Sequence, residues 1–569
     1  MLKDTQGNPL TGATADTADL YEQGMRVFNL YSEDPFPYLE QAIAQAPEFV
    51  MAHLLQAYMY ATATEPEATQ AAGAILETAR KLPMSEREAS HVVALRQLIA
   101  GNWHAAAEQL DFHNARYPHD LVGIQCGHLM DFYRTNGRNL RDRIARVLPH
   151  WSAEIPGYSL LLGMYAFGLE ECAEYARAEE YGRRAIDLEP FDCWAHHAVT
   201  HVLEMQGRAR EGIEWMESRE PFWAGKENFF KVHNWWHRAL FHLDLEEIEQ
   251  ATALYDQKVR ADSSSMALDL VDASALLWRL WMLEVDVTSR CEEIADCWLT
   301  LADGRTYPFN DWHAVMAYLG AGQSERVDAV INKLREQRDS PNDVERWASQ
   351  TGLPLIEGFT AFARGRYAEA VQHLHGARYI FQQFGGSHAQ RDIIDWTLAE
   401  AAIRSGERAL AEAFANERLA QKPDSPMQLA TLLRATQLPT VPRASAAPVR
   451  FPFPCASLSC APLYPRKLAV PDFTRYDAPS KMPDRVFYQT FFTRAGQRSN
   501  LERYHLLPRT AGFRSGKRQT LPGRAVHCRS GRKGIPLQSL PVPVGRRPLA
   551  VDRQAEAERY AVAGICRSR

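Results

Sequence analysis

The first twenty residues, MLKDTQGNPLTGATADTADL, contain no apolar core, so a secretory signal peptide is not expected. No uninterrupted apolar run reaches roughly 18 residues, and a membrane-spanning helix is not expected either. Cysteine is sparse. Of nine in 569 residues, five precede residue 440 (Cys126, Cys172, Cys193, Cys291 and Cys297), and none of these makes a C-x-x-C pair. That spacing argues against a disulfide framework and suits a reduced, cytoplasmic chain. Common catalytic signatures are missing as well. Ser159 follows Gly157 but no second glycine completes G-x-S-x-G, and Gly516-Lys517 is followed by Arg518, so no Walker loop forms. Neither G-x-G-x-x-G nor H-E-x-x-H occurs. These absences weaken an enzyme reading without removing it, and no catalytic residue is assigned.

Strand-like alternation of β-branched residues is nearly absent, while Ala, Leu, Glu and Arg dominate from Asp16 to Pro423. Turn signals recur at the spacing of short helices. One is Ser85-Glu86-Arg87-Glu88, where Ser85 and Glu88 are placed to form a capping box. Small residues recur in a pattern that lets paired helices approach closely, with a proline closing a unit of roughly 34 residues. Trp103, Ala106, Leu110 and Pro118 fit it, as do Tyr175, Ala178, Ala185 and Pro190. Gly358, Tyr367, Ala370 and Leu374 fit again, Ala411, Ala415 and Pro423 close the series, and Leu39, Ala42 and Pro47 are a fainter copy. The expected fold is all-α: an α-solenoid of degenerate tetratricopeptide-like helix hairpins, compact and curved because the repeats are irregular. The expected organisation is a flexible N-terminus over residues 1–15, a helical repeat domain over 16–437 and a separate tail over 438–569.

Several long strings carry a resemblance: HAVTHVLEMQGRAREGIEWM (197–216), VHNWWHRALFHLDL (232–245), LYDQKVR (254–260), DASALLWRL (272–280) and FNDWHAVMAYLGAG (309–322). Through them, residues 15–435 resemble the tetratricopeptide repeat protein 38 family, also grouped as StaR-like helical proteins. The resemblance implies an all-helical repeat fold and a role in protein binding. It supplies no catalytic residues.

The stretch from Phe191 to Asp244 holds six histidines and five tryptophans. His197 and His201 are four apart, as are His233 and His237, and residues four apart share one helix face. Gly207 suits a helix C-terminus and Pro221 is expected to end the short helix that follows, so two histidine-bearing helices should flank a third. If the pairs face each other, four imidazoles converge. Three readings stand: histidines packed on tryptophan rings, a polar pocket for a small molecule, or a zinc or iron site held by His197, His201, His233 and His237. Asn234, Trp236, Asp311 and His313 are further pocket candidates, and Asp244 and Glu227 are the nearest carboxylates in sequence. Outside the metal reading, no cofactor is called for. The buried-core alternative applies equally to the many tryptophans.

Charge divides the chain. Residues 1–440 hold 40 Lys+Arg and 63 Asp+Glu, whereas residues 441–569 hold 24 and 7. The later segment carries fifteen prolines, four cysteines and no tryptophan. It reads as a disordered Pro/Arg-rich extension or as an out-of-frame stretch, ahead of a basic nucleic-acid-binding tail. The expected activity is that of a protein-interaction or scaffold module taking a protein or peptide on the concave solenoid face, with neither membrane nor nucleic acid as partner. The acidic first part favours a basic or neutral partner. The alternative is an enzyme or small-molecule binder at the His/Trp centre. Sequencing the locus tests the tail: a single inserted or deleted base after the codons for Pro423-Asp424-Ser425-Pro426 is expected, and an uninterrupted natural frame there would eliminate the out-of-frame explanation.

Overall fold

The computed structural model describes residues 2–337, 339–379 and 385–439. Contacts divide the chain into two units, Met1–Pro452 and Phe453–Arg569, and all described residues belong to the first. Most of the tail expected over 438–569 therefore lies outside the described residues. The α-helices run in chain order as α1 (Ala15–Leu30), α2 (Phe36–Gln45), α3 (Val50–Thr62), α4 (Pro66–Ala79), α5 (Glu86–Ile99), α6 (Trp103–Arg116), α7 (Leu121–Tyr133) and α8 (Gly137–Val147). Next come α9 (Tyr158–Glu170), α10 (Tyr175–Leu188), α11 (Cys193–Met205), α12 (Ala209–Trp223), α13 (Lys231–Asp244), α14 (Ile248–Leu254), α15 (Ala267–Met282) and α16 (Thr288–Cys297). The series closes with α17 (Pro308–Gly320), α18 (Ser324–Glu336), α19 (Asp343–Trp347), α20 (Leu353–Ala363), α21 (Tyr367–Ala377), α22 (His388–Arg404), α23 (Arg408–Gln421) and α24 (Pro426–Thr436). Among the described residues no strand occurs, only an isolated bridge between Lys3 and Pro9.

Two kinds of helix alternate, and composition explains the difference. Helices α3, α7, α9, α11, α13, α15, α17, α20 and α22 are buried on nearly all sides, as α9 (YSLLLGMYAFGLE) illustrates with apolar residues right round its surface. The intervening helices bury a single stripe. In α8, only Leu140, Arg143, Ile144 and Val147 are buried, and the rest is charged or polar. A helix apolar all round must be covered on every side. Each inner helix packs on its outer partner and on the next inner helix, as in α9 with α11, α11 with α13, α13 with α15 and α15 with α17. This nearest-neighbour covering is what defines an α-solenoid. The stack also meets itself: α22 packs on α11 and α15, and α24 packs on α13. A hydrogen bond fastens α15 to α22, Trp278 Nε1 donating to Thr397 Oγ1 at 3.0 Å, and Asn310 Nδ2 on α17 donates to the Thr64 carbonyl in the turn after α3 at 2.9 Å.

Ser85 and Glu88 form the expected capping box at the start of α5. Gly101, Gly365 and Gly406 each take a positive φ in the turn ahead of α6, α21 and α23, a conformation that glycine adopts without a Cβ clash. Two expectations need correction. Pro221 does not end α12, which runs on to Trp223. Proline there removes one N–H in the last turn, while Trp223 is fully buried, stacks edge-on against Trp235 at 4.7 Å and donates to the Met216 carbonyl at 3.2 Å, so burial outweighs the lost bond. The N-terminus is held in place: Leu10 is buried, and Glu88 accepts from both the Thr11 N–H (3.0 Å) and its hydroxyl (2.7 Å). Helical packing continues past Pro426: Ser425 caps α24, and Arg434 makes two 2.9 Å bonds to Glu400.

Ala106, Ala178, Ala370 and Ala411, singled out by spacing, are all fully buried. At the α20–α21 crossing a Cβ on Gly358 would sit 2.6 Å from Leu374, so no volume is spare. Ala370→Leu on α21 is expected to overpack this region and cost about 1–3 kcal/mol. Chemical denaturation would show it as a lower midpoint at unchanged m-value, and an unchanged midpoint would contradict the packing register.

Candidate functional site

The four histidines come from two adjacent inner helices. Asp192 caps α11 by accepting from the Ala195 N–H at 2.9 Å, and this sets the helix phase that carries His197 and His201 inward. Helix α13 begins at Lys231 and carries His233 and His237 on its facing side. The four rings then meet. His233 Nε2 lies 3.1 Å from His197 Nε2 and 3.2 Å from His237 Nε2. One ring nitrogen from each of the four, His201 included, falls within 4.8 Å of the others. Three are buried outright and His233 is nearly so, its side chain 12% exposed.

Carboxylates stand behind the rings. Asp272 on α15 reaches His233 Nδ1 at 2.8 Å, Glu204 on α11 reaches His237 Nδ1 at 2.8 Å, and Glu170 on α9 lies 3.5 Å from His201 Nδ1. His197 Nδ1 has no hydrogen-bond partner, nor does either ring nitrogen of His201. Aromatic rings fix the planes of two imidazoles: Trp236 stacks on His233 at 5.3 Å and Phe167 on His197 at 5.4 Å. Burial, reinforced by the neighbouring imidazoles, pushes His197 and His237 well below the usual histidine range and holds them neutral. Burial raises Glu204, with Lys422 opposing it. Burial by itself would raise Glu170, but His201 and His388 beside it outweigh that and hold it at about 2. The Arg279 guanidinium, which lies over Trp236, is drawn down to about 10 by burial.

The other sequence candidates fall elsewhere. Asp311 and His313 lie on α17, where Asp311 accepts from the Gly304 N–H and His313 Nδ1 meets the Phe309 carbonyl, so their polar contacts are local and not with the four rings. Asn234 is buried on α13 with both amide atoms lacking a hydrogen-bond partner. Asp244 accepts from the Ser425 hydroxyl, and Glu227 is exposed, so neither serves the cluster. The carboxylates that do serve it went unrecognised in the sequence. Glu204 was legible in principle, because it follows His197 and His201 by seven and three and so shares their helix face. Asp272 and Glu170 are brought in by other helices, and no local spacing marks them.

A second buried cluster serves as a contrast. Asp120, the N-cap of α7, gathers His91 Nε2 at 3.0 Å, His113 Nε2 at 3.1 Å and Arg87 on a single carboxylate oxygen. Here a guanidinium already supplies the positive charge, and each of the three cationic or ring groups meets the Asp120 carboxylate. The cluster reads as a helix cap with its counter-ion.

Fold and geometry together define a class: an all-α solenoid of tetratricopeptide-like hairpins with a buried histidine cluster at its centre. No family model matches the chain. Low-identity alignments span about three quarters of it in several solved structures. A chain of the APC/C hetero-tetramer Cut9-Hcn1 aligns at 15% identity over 74% of this chain and 76% of its own, with a TM-score of 0.37. Human IFIT1, solved as a dimer with PPP-AAAA, aligns at 14% over 75% and 96%, TM-score 0.35. Yeast Tom70 aligns at 11% over 74% and 95%, TM-score 0.28. At such values the fold assignment rests on this chain's own helices.

Asp192 supplies a pH test of the helix that presents His197 and His201. Burial pushes its carboxyl up to about 7 from an ordinary value of 3.8. An acid whose folded pKa is raised binds protons more tightly when folded, so stability falls as pH climbs from the unfolded value to about 7 and is level beyond. Asn keeps a capping acceptor without the charge. Asp192→Asn is therefore expected to gain on the parent by roughly 1–3 kcal/mol between about pH 5 and pH 8. Denaturant midpoints across that range measure it, and a difference that stays constant with pH would contradict a buried, ionisable cap.

Proposed function

We propose that the chain is a protein-interaction scaffold of the tetratricopeptide-like class, with a peptide or protein segment as its partner. The resemblance of residues 15–435 to the tetratricopeptide repeat protein 38 family belongs with this reading, as does a cytoplasmic setting. Its five described cysteines are all free, and among the described residues no helix is long and apolar enough to cross a membrane. A concave solenoid face is the surface expected for the partner. In this stack the inner helices are covered by one another and, at α11 and α15, by α22. The reading therefore places the partner in the open groove of about 760 Å³ between α6 and α8.

That groove is the observation that carries the proposal. His104, Asp111, Arg134, Arg138, Asp142 and Arg146 all line it. Two of its ion pairs reach solvent: Arg138 with Asp142 at 3.2 Å and Arg146 with Asp111 at 3.0 Å. Exposed pairs are worth little, so their members are free to exchange partners with an incoming polar chain. Chemistry at the His/Trp centre receives no comparable support, because His197, His201 and His237 are buried outright and only His233 reaches solvent, its side chain 12% exposed.

Selection of peptides from a displayed library on the immobilised full-length chain tests the reading. The selected peptides are expected to lose about tenfold in affinity, about 1.4 kcal/mol, for the Arg138→Glu/Arg146→Glu variant. Peptides that bind this variant and the parent equally would place the interaction elsewhere, and the absence of any selected peptide would count against a scaffold.

A further inference from the structure

We propose that His197, His201, His233 and His237 hold one divalent first-row metal ion, zinc by preference, in a closed tetrahedral site that clamps the centre of the solenoid. The inference goes beyond the scaffold reading and does not depend on it.

Asp272 at 2.8 Å from His233 Nδ1 and Glu204 at 2.8 Å from His237 Nδ1 occupy the outer nitrogens of these two rings. The Nε2 atoms of both rings therefore point inward, 3.2 Å apart, and His197 Nε2 lies 3.1 Å from that of His233. Nitrogen lone pairs converging at that distance repel, and a cation between them turns the repulsion into binding.

The separations fit a tetrahedral ion. Zinc–imidazole bonds of about 2.0–2.1 Å give a regular tetrahedron with edges of about 3.3–3.4 Å. The observed 3.1 and 3.2 Å separations are close to that edge, and His201 completes the set within 4.8 Å. Metal-bound histidines commonly pass their other ring nitrogen to a carboxylate, which fixes the ring and strengthens the ligand. Two of the four do so, His233 to Asp272 and His237 to Glu204, and Glu170 stands 3.5 Å from His201 Nδ1. Those carboxylates come from α15, α11 and α9, so an ion here would tie α9, α11, α13 and α15 together. Four protein ligands leave no position for water or substrate, which makes this a structural site. The Asp120 cluster lacks this arrangement because Arg87 already occupies the cationic role.

The rival account is a proton shared among the imidazoles. Cobalt(II) separates the two in the native full-length chain after treatment with chelator and dialysis. A metal site is expected to take up a single cobalt ion per chain, with the intense visible absorption of a tetrahedral ion and quenching of the adjacent Trp236 and Trp194 fluorescence. Zinc should displace the cobalt and raise the melting temperature. Asp272→Asn should weaken binding about 10–100-fold. His233→Gln/His237→Gln should abolish it, while His91→Gln in the contrasting cluster should leave the stoichiometry intact. A chain with an unchanged helical circular-dichroism spectrum that binds neither cobalt nor zinc would overturn the proposal in favour of the shared proton. A weak, octahedral cobalt spectrum would overturn it too.

Discussion

An inner helix that is apolar on every face has no side it can turn to water. The remainder of this structure follows from that constraint. Helix α9 needs α8, α10 and α11 against it, and α11 in turn needs α12, α13 and α22. Burial of apolar surface contributes about 25 cal/mol per Å², so no single hairpin sustains itself and stability is shared along the stack. The outer helices are the complement of this arrangement. Each has one buried stripe of small or aliphatic residues, and Ala106, Ala178 and Ala411 let it come close without displacing its neighbour.

The same constraint raises the cost of every polar group on an inner helix. Buried imidazoles, amides and carboxylates lose water and must find partners within the protein. Asp120 finds Arg87 and two histidines, and buried Arg143 finds Asp131 at 2.6 Å together with Asn114. In those networks each buried charge meets its counter-charge. The central histidines differ: carboxylates meet the outer nitrogens of His233 and His237, while the inner nitrogens of His197, His233 and His237 meet only one another. Surrounding rings of Phe167, Trp194 and Trp236 exclude water from this point and hold the imidazoles at fixed angles.

Contacts between distant parts of the chain tie the centre to the last hairpins. His388 at the start of α22 lies 3.7 Å from Glu170, Lys422 lies 3.7 Å from Glu204, and Ser425 donates to Asp244. Two of the carboxylates behind the histidines therefore face both the cluster and the C-terminal repeats. Docking of α22–α24 and the geometry of the four rings are physically linked through Glu170 and Glu204. The outer surface is independent of this linkage. Its ion pairs are solvated and exchangeable, which is why the groove between α6 and α8 can differ in role from the enclosed centre.

Local chemistry was enough to read the helices from the sequence alone. The capping box at Ser85, the turn glycines at 101, 365 and 406, and the small-residue spacing each act within one or two turns, so the all-α repeat architecture and the facing H-x-x-x-H pairs were legible. Pro221 was misread because its cost is local, whereas the burial of Trp223 that outweighs it is not. The loose N-terminus was misread for the same reason, since Glu88 lies 77 residues from Thr11. Spacing could place His197 with His201 and His233 with His237, but it could not bring Asp272 and Glu170 behind them or send Asp311 and His313 elsewhere. Those choices depend on which helices pack side by side, and only the tertiary structure decides that.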